Sequence, residues 1–304
     1  MRVAVTGGCG FIGSHVVDQL VAAGHEVLVL DKHRKWANPG ADYLIADVFA
    51  DGALEQALAG REVVFHLAGM ADVNQVTADP AHAVQLNVES VVRVLETARR
   101  QGCRRVVLAS TVWVYGATAG RGERTEDAQI DLSLAGHLYV STKLSAELVV
   151  HSYREMYGQE FSILRYGIPY GPRMREELVI ARFVRAAQRG EPITIAGSGD
   201  QQRNFVYVED LAEAHVLALG PAAANRTLAL EGDTPVTVSE IADAVRNLIS
   251  PVPVRHIPGR AADYQGTAIS NQLAKEVLKW SPTTSLAEGM RRYLAWLESN
   301  GDRS

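Results

Sequence analysis

The sequence predicts an α/β fold: a doubly wound parallel sheet followed by a smaller, mostly helical C-terminal lobe. Three observations predict it. Short apolar runs alternate with amphipathic segments through the first half of the 304 residues, the rhythm of parallel strands joined by right-handed crossovers. A glycine turn separates the first apolar run from the first helical pattern. Residues able to hold a ligand recur just after the apolar runs, where open parallel sheets bind their ligands.

Val3–Val5, Glu26–Asp31, Tyr43–Ala46, Val63–Ala68, Arg105–Thr111 and Phe161–Tyr166 read as strands. Gly13–Ala23, Ala83–Gln101 and Tyr139–Tyr157 read as helices. Beyond Tyr166 the rhythm changes, with Pro and Gly clustered from Pro169 to Pro172. Phe205–Val208 and Thr227–Leu230 read as short strands, and Leu286–Ser299 as a last helix before a polar tail. The expected division is a first domain over 1–166, to which 205–231 returns, and a second lobe over 167–204 and 232–304.

Composition narrows the class. At 47% hydrophobic and 21% charged the chain is an ordinary globular protein with a large core. A net charge of -5 argues against nucleic-acid or anionic-membrane partners. No apolar stretch approaches the roughly 18–20 residues of a membrane span. Met1 leads straight into the first predicted strand, so no signal peptide is expected. The two cysteines, Cys9 and Cys103, fall in predicted folded elements, which fits a reducing cytoplasm and disfavours a disulfide framework or a cysteine-rich metal site. No His/Asp/Glu group has metal-ligand spacing, so no metal is expected.

The glycine turn, Gly7-Gly8-Cys9-Gly10-Phe11-Ile12-Gly13, marks a Rossmann-type dinucleotide site. Gly10 lets backbone approach a pyrophosphate, Gly13 allows close helix–strand packing, and the free amides of the helix start face the phosphates. Asp31 closes the second strand at the spacing of a ribose-binding acid. A carboxylate there binds two ribose hydroxyls and repels a 2′-phosphate, favouring NAD over NADP. The basic run Lys32-His33-Arg34-Lys35 is either a solvated loop or a phosphate site. Asp47, after the third strand, either faces the adenine edge or forms a turn. Val48, Leu67, Ala68, Gly69, Ser110 and Tyr166, at the same strand ends, complete the candidate cofactor contacts.

Tyr139 and Lys143 lie four apart on a predicted helix, hence on one face. A free phenol ionises near about pH 10, and a nearby cation, or the positive nicotinamide of an oxidised cofactor, stabilises its phenolate. Tyr139 can then take a proton from a substrate hydroxyl as the carbon loses hydride.

The chain resembles the extended short-chain dehydrogenase/reductase superfamily, the nucleotide-sugar epimerases and dehydratases. The resemblance rests on Thr6 to Gly13, Asp31, His66-Leu67-Ala68-Gly69, Asn87, Ser110-Thr111 with Val114-Tyr115-Gly116, Tyr139/Lys143, Tyr170-Gly171-Pro172, Arg203 to Asp210 and Arg260 to Asp263. It implies that Thr111 completes a catalytic set with Tyr139 and Lys143, hydrogen-bonding the reacting sugar hydroxyl. Lys143 would also hold the nicotinamide ribose, and Asn87 would support the cofactor side. Arg203 and Arg260 match arginines that grip a nucleotide-sugar diphosphate, as a planar guanidinium does well. Asp263 matches a carboxylate on the nucleotide ribose or on that arginine.

Departures from the family pattern select a reaction. Dehydratases carry Asp-Glu after the catalytic Ser/Thr; here those positions are Val112-Trp113, which neither donate nor accept a proton. Decarboxylating members place a Glu where Trp113 stands. What remains is oxidation and re-reduction at carbon 4, the outcome of a 4-epimerase acting on a UDP- or dTDP-sugar. Ile168 replaces an Asn that in the family hydrogen-bonds substrate. Asp72 and Asn74, after the fourth strand, are either sugar contacts or loop surface. Glu123, Glu126 and Asp127 are expected on the solvated surface of a mobile loop, Gly120–Asp127. His66 reads as a packed, hydrogen-bonded core histidine. Cys9 reads as a space filler whose thiol a helix N-terminus could acidify. The competing readings are a reductase or dehydrogenase that exchanges NAD(P), and, on the same fold, a non-catalytic NAD-binding module. Val91, Val92, Leu95, Leu148, Val149 and Val150 are candidates for a homodimer interface.

Overall fold

A run such as Val3-Ala4-Val5 sends alternate side chains to opposite faces of a strand, and both faces here are apolar, so helices must cover both. The computed structural model describes residues 1–117, 122–259 and 268–300. In chain order the first half contains β1 (Arg2–Thr6), α1 (Phe11–Ala22), β2 (Glu26–Asp31), β3 (Asp42–Ile45), α2 (Ala53–Leu58), β4 (Val63–His66), α3 (Val73–Ala78), α4 (Pro80–Val84), α5 (Ser90–Gln101), β5 (Arg105–Thr111), α6 (Leu138–Tyr157) and β6 (Glu160–Tyr166). The second half contains β7 (Ile168–Tyr170), α7 (Val179–Gln188), β8 (Ile193–Ala196), β9 (Gln202–Tyr207), α8 (Val208–Leu217), β10 (Arg226–Leu230), β11 (Pro235–Thr237), α9 (Val238–Leu248), β12 (Val254–Ile257), α10 (Gln272–Leu278) and α11 (Leu286–Asn300).

The main sheet has seven strands in the order β10-β6-β5-β4-β1-β2-β3, all paired in parallel. The order reverses at β1, which places the glycine turn at the topological switch point. Val3, Val5, Val29 and Phe65 pack on one face with Val16, Val17 and Leu20 of α1 and Leu211 of α8. Ala4, Leu30, Val64, Val106 and Ile163 face the other way, against Leu54 and Leu58 of α2, Val94 of α5 and Ala146 of α6. Val91, Leu95 and Val150, candidates for a dimer face, are buried in this second core, because their side of the helix turns toward the sheet.

Helix ends follow local chemistry. Gly102 and Gly158 close α5 and α6 in the left-handed conformation that glycine adopts without strain. Asp79 caps α4 ahead of Pro80 at its first turn. The predicted helix Ala83–Gln101 is interrupted by a π-helical turn over Gln85–Glu89, which carries Asn87 inward.

The C-terminal lobe is less helical than the sequence suggests. It adds a three-stranded sheet, β11-β9-β7, and a parallel pair, β12-β8. Its own core gathers Ile180, Phe183, Val184, Ile193, Ile241, Val245 and Met290. Within 205–231 the chain divides: Arg226–Leu230 pairs with β6 of the main sheet, whereas β9 belongs to the small sheet. Asp210, at the start of α8, ties in the chain's end by accepting from the amides and hydroxyls of Thr283 and Thr284. Trp280 donates its indole N–H to the Asp210 carbonyl at 2.7 Å. Among the described residues no helix is long and apolar enough to cross a membrane.

Candidate active site

The glycine turn is built by close approach of backbones. A Cβ on Gly7 would lie 2.6 Å from the Ala68 amide nitrogen, and Gly7 holds φ at +73°. A Cβ on Gly13 would lie 2.1 Å from the Gly7 carbonyl oxygen. At Gly10 the nearest such atom is that same carbonyl, 3.3 Å away, so its outer side is open. Gly10 occupies the N-cap of α1 with no side-chain cap, leaving the amides of Phe11 and Ile12 to face outward. The Asp31 carboxylate lies across the turn and accepts from the Cys9 amide at 2.9 Å. This open cradle, with amides on one side and a carboxylate on the other, fits the pyrophosphate and adenosine ribose of NAD.

The basic run beside it is engaged within the chain. Lys32 lies 3.6 Å from Asp47, Arg34 stacks over Tyr43 and Lys35 over Trp36. Asp47 also accepts from the Phe49 amide, the turn-forming role, and Val48 is buried beneath it. Cys9 is a buried filler, but burial and the Asp31 charge push its thiol up to about 11, opposite to the acidification expected of a helix start. Cys9, Asp31 and His33 bring donor atoms within 4.8 Å of one another, a trio that spacing did not reveal. Without a thiolate, and with Asp31 already bonded to the turn, it remains part of the dinucleotide cradle.

At the next strand end, Asn87 braces the chain after β4. Its Oδ1 accepts from the Met70 amide at 2.7 Å, and its Nδ2 donates to the Met70 carbonyl and the Thr142 hydroxyl. A Cβ on Gly69 would meet Asn87 Oδ1 at 3.1 Å and Lys143 Nζ at 3.5 Å, so the bare backbone there keeps the ammonium within reach. His66 is bonded on both ring nitrogens, to Thr6 at 2.7 Å and Ser90 at 2.9 Å, and burial pushes it down to about 3.

Tyr139, Lys143 and Glu147 form one buried stripe along α6. Burial pushes the Tyr139 phenol up to about 12; a hydrogen bond with Thr111 and the charge of Arg175 oppose this. Arg175 is a cation near the phenol that helical spacing did not reveal, and the Lys143 ammonium donates to the Ala109 carbonyl at 3.1 Å. Burial brings Lys143 down to about 8, and Glu147 opposes the drop. Trp113 packs edge-on against Tyr139 and His137, with ring centroids 6.1 and 5.5 Å away, while His137 stacks on Tyr139. Behind them Glu147 takes two hydrogen bonds from Arg165, at 3.0 and 2.7 Å, and one from Ser110. Tyr166 bonds His215 at 2.5 Å.

Residues 3–228 match the NAD dependent epimerase/dehydratase family. The chain belongs to this family. A UDP-glucose 4-epimerase of Mycolicibacterium smegmatis is 32% identical over 307 residues, covering 96% of this chain and 97% of that one. A UDP-glucuronic acid decarboxylase of Arabidopsis thaliana is also 32% identical, over 97% of this chain and 69% of its own length. Among solved structures, a UDP-glucose 4-epimerase of Thermotoga maritima with UDP-glucose superposes with a TM-score of 0.89 at 29% identity, covering 99% of each chain.

In this NAD dependent epimerase/dehydratase, Gly7, Gly10, Gly13, Asp31, Leu67, Ala68, Gly69, Asn87 and Lys143 gather at the carboxyl ends of β1, β2 and β4, and Thr111 with Tyr139 at the end of β5. Ser110 lies one residue earlier but gives its hydroxyl to Glu147. Val112 is buried in a cluster with Val140 and Leu144. Asp72 caps α3, accepting from the Asn74 and Gln75 amides, and pairs with Arg175 at 3.4 Å, while Asn74 is exposed. Ile168 and Arg203 sit on adjacent strands of the small sheet. Arg260 and Asp263 lie outside the described residues, as do the first two positions of the Gly120–Asp127 loop. Within that loop Glu126 is not solvated surface: it accepts from the Ala229 amide at 2.8 Å, and burial raises its carboxyl.

Arg175, His137 and Glu147 were missed in the sequence. Glu147 carried a signal, since it continues the Tyr139/Lys143 spacing by one more turn. Arg175 and His137 carried none, because their approach to Tyr139 is tertiary.

Proposed function

We propose that this protein is a UDP-sugar 4-epimerase that removes and restores hydrogen at carbon 4, with dTDP-sugars as the variant on the nucleotide side. The observation that carries the reading is a buried Thr111–Tyr139–Lys143 set beside the glycine cradle, with no carboxyl at positions 112 and 113. Trp113 fills the second of those positions and packs on Tyr139, a wall rather than a proton carrier, which disfavours dehydration. Residues 1–166 with 226–230 would hold NAD; 167–204 and 232–304 would hold the nucleotide-sugar, with Arg203, Arg260 and Asp263 toward the diphosphate and nucleotide.

Bound NAD would supply the hydride acceptor and donor, and its oxidised ring a positive charge. The protein's own part is proton transfer and positioning. Thr111 orients the carbon-4 hydroxyl and Tyr139 takes its proton as the ketone forms. Lys143, Asn87 and Gly69 frame the cofactor side, and Arg175 stabilises the phenolate. Tyr139 returns the proton when hydrogen is restored to the opposite face, so no net oxidation occurs.

With UDP-glucose, UDP-glucuronate and UDP-N-acetylglucosamine as probes, the expected result is a change in the carbon-4 proton couplings by NMR without added cofactor. The purified protein should also release NAD on denaturation. Turnover that requires added NADH or NADPH would replace this reading with a reductase, and formation of a pentose from UDP-glucuronate would replace it with a decarboxylase.

The same reading includes a homodimer through α5 and α6. Val92, Leu148 and Met156 remain exposed there at 37, 63 and 60%, on the face turned away from the sheet. Light scattering should give the mass of two chains, and Leu148→Arg should shift it toward one; a wild-type monomer would remove the dimer from the proposal.

A further inference from the structure

Glu231 is the strongest buried group that the proposed reaction leaves unused. It is 5% exposed, and its Oε2 has no hydrogen-bond partner among the described residues. An acid is rarely left this way in a dry interior unless something else engages it. Its place in the sheet is specific. Thr111 of β5, Tyr166 of β6 and Leu230 of β10 are paired in one row. Glu231 follows Leu230, so it lies on the ligand rim of the sheet, two strand spacings, roughly 10 Å, from the strand that carries Thr111.

Two backbone features fix it there. A Cβ on Gly167 would lie 2.8 Å from the Glu231 carboxyl, so the bare glycine is what gives the side chain its room over the end of β6. A Cβ on Gly232 would lie 2.1 Å from the Phe205 carbonyl oxygen, and Asn204 donates to the Gly232 carbonyl at 2.7 Å. Asn271 donates to the carbonyl of Glu231 itself at 2.8 Å. The chain around Glu231 is therefore held on both sides, while its Oε2 has no partner among the described residues.

We propose that Glu231 is a substrate-contacting, specificity-determining residue whose carboxyl hydrogen-bonds an acceptor oxygen of the nucleotide-sugar, on the sugar or on the diphosphate, lying over Gly167. The inference rests on the nucleotide-sugar reading above. Burial pushes the carboxyl up to about 8, so near pH 7 it keeps its proton, donates to an oxygen and does not repel an anionic diphosphate. The titratable and charged groups on the elements around it are Glu126, which bonds β10, Tyr166 on β6, His215 on α8, Arg203 on β9 and the Asp233–Lys275 pair; burial alone shifts Glu231.

Binding of UDP, UDP-glucose and UDP-glucuronate by calorimetry to wild type, Glu231→Gln and Glu231→Ala tests this. Glu231→Ala should weaken binding by about 3- to 10-fold, the scale of one neutral hydrogen bond, whereas Glu231→Gln, which keeps a donor, should stay near wild type. A loss shared by UDP places the contact on the diphosphate; a loss confined to the UDP-sugars places it on the sugar. Between pH 7 and pH 9 wild-type affinity should fall, and that of Glu231→Gln should not. Wild-type affinity of Glu231→Ala for all three probes overturns the inference. A wild type that binds UDP but epimerises neither sugar overturns the epimerase reading alone, and the UDP arm still judges Glu231. A wild type that binds none of the three overturns both.

Discussion

Tyr139→Phe is expected to lower turnover of a UDP-hexose by about 10²- to 10⁴-fold, the range for loss of a positioned general acid–base, while leaving the NAD content of the purified protein unchanged. The substitution removes one oxygen and keeps the ring that packs with Trp113 and His137, so a loss of activity would not be a loss of shape. The pH profile carries the second half of the prediction. With burial holding the phenol near 12, only a small phenolate fraction exists at neutral pH, and the wild-type rate should rise with pH along its acid limb. The rise should level off as Lys143, brought down to about 8, loses its charge, because above that point each gain in phenolate is offset by a loss of ammonium. Arg175→Met removes a cation that opposes the rise in the phenol, so its rate should be lower all along that rising limb. Undiminished turnover in Tyr139→Phe would remove the tyrosine from the mechanism. An unchanged rate on that limb in Arg175→Met would leave the phenol to other charges.

How far this site could be read from the sequence depends on the physics behind each residue. The glycine turn was legible because backbone contact is unforgiving: Gly7 and Gly13 sit where any Cβ would enter another backbone atom. Tyr139 and Lys143 were legible because helical spacing alone puts them on one face. Asp72 was ambiguous for a local reason, since Asp followed by two polar residues reads equally as sugar contact and as helix cap, and the cap is what the chain makes. Glu126 misled because a charged residue in a Gly-rich segment reads as solvated surface, whereas a lone β10 amide recruits it. Arg175 was invisible: its effect on Tyr139 depends on where the chain returns after β7, a tertiary fact with no local pattern. The same holds for the C-terminal lobe, where three-residue strands such as β7 and β11 are too short to show a period of two.

Glu147→Ala is expected to be the most destabilising single change near the site, at about 3–5 kcal/mol, the cost of leaving one partner of a buried ion pair uncompensated. Glu147 and Arg165 meet through two hydrogen bonds, both side chains nearly without solvent, and Ser110 supplies a third donor. Removing the carboxylate strands a buried guanidinium over the Tyr115 ring, 4.9 Å away. A fall in melting temperature on the order of 10 °C follows from that cost. The pair is costly to break rather than valuable in itself, so Glu147→Leu combined with Arg165→Met should recover most of the stability. Activity need not recover with it. Glu147 also opposes the drop in Lys143, so without it the ammonium should deprotonate below about 8 and the pH at which turnover levels off should move toward neutral. A double variant as stable as wild type but with that levelling-off displaced would separate the two roles of Glu147. A double variant in which turnover levels off at the wild-type pH would make Glu147 a partner of Arg165 only, and would place the charge control of Lys143 elsewhere.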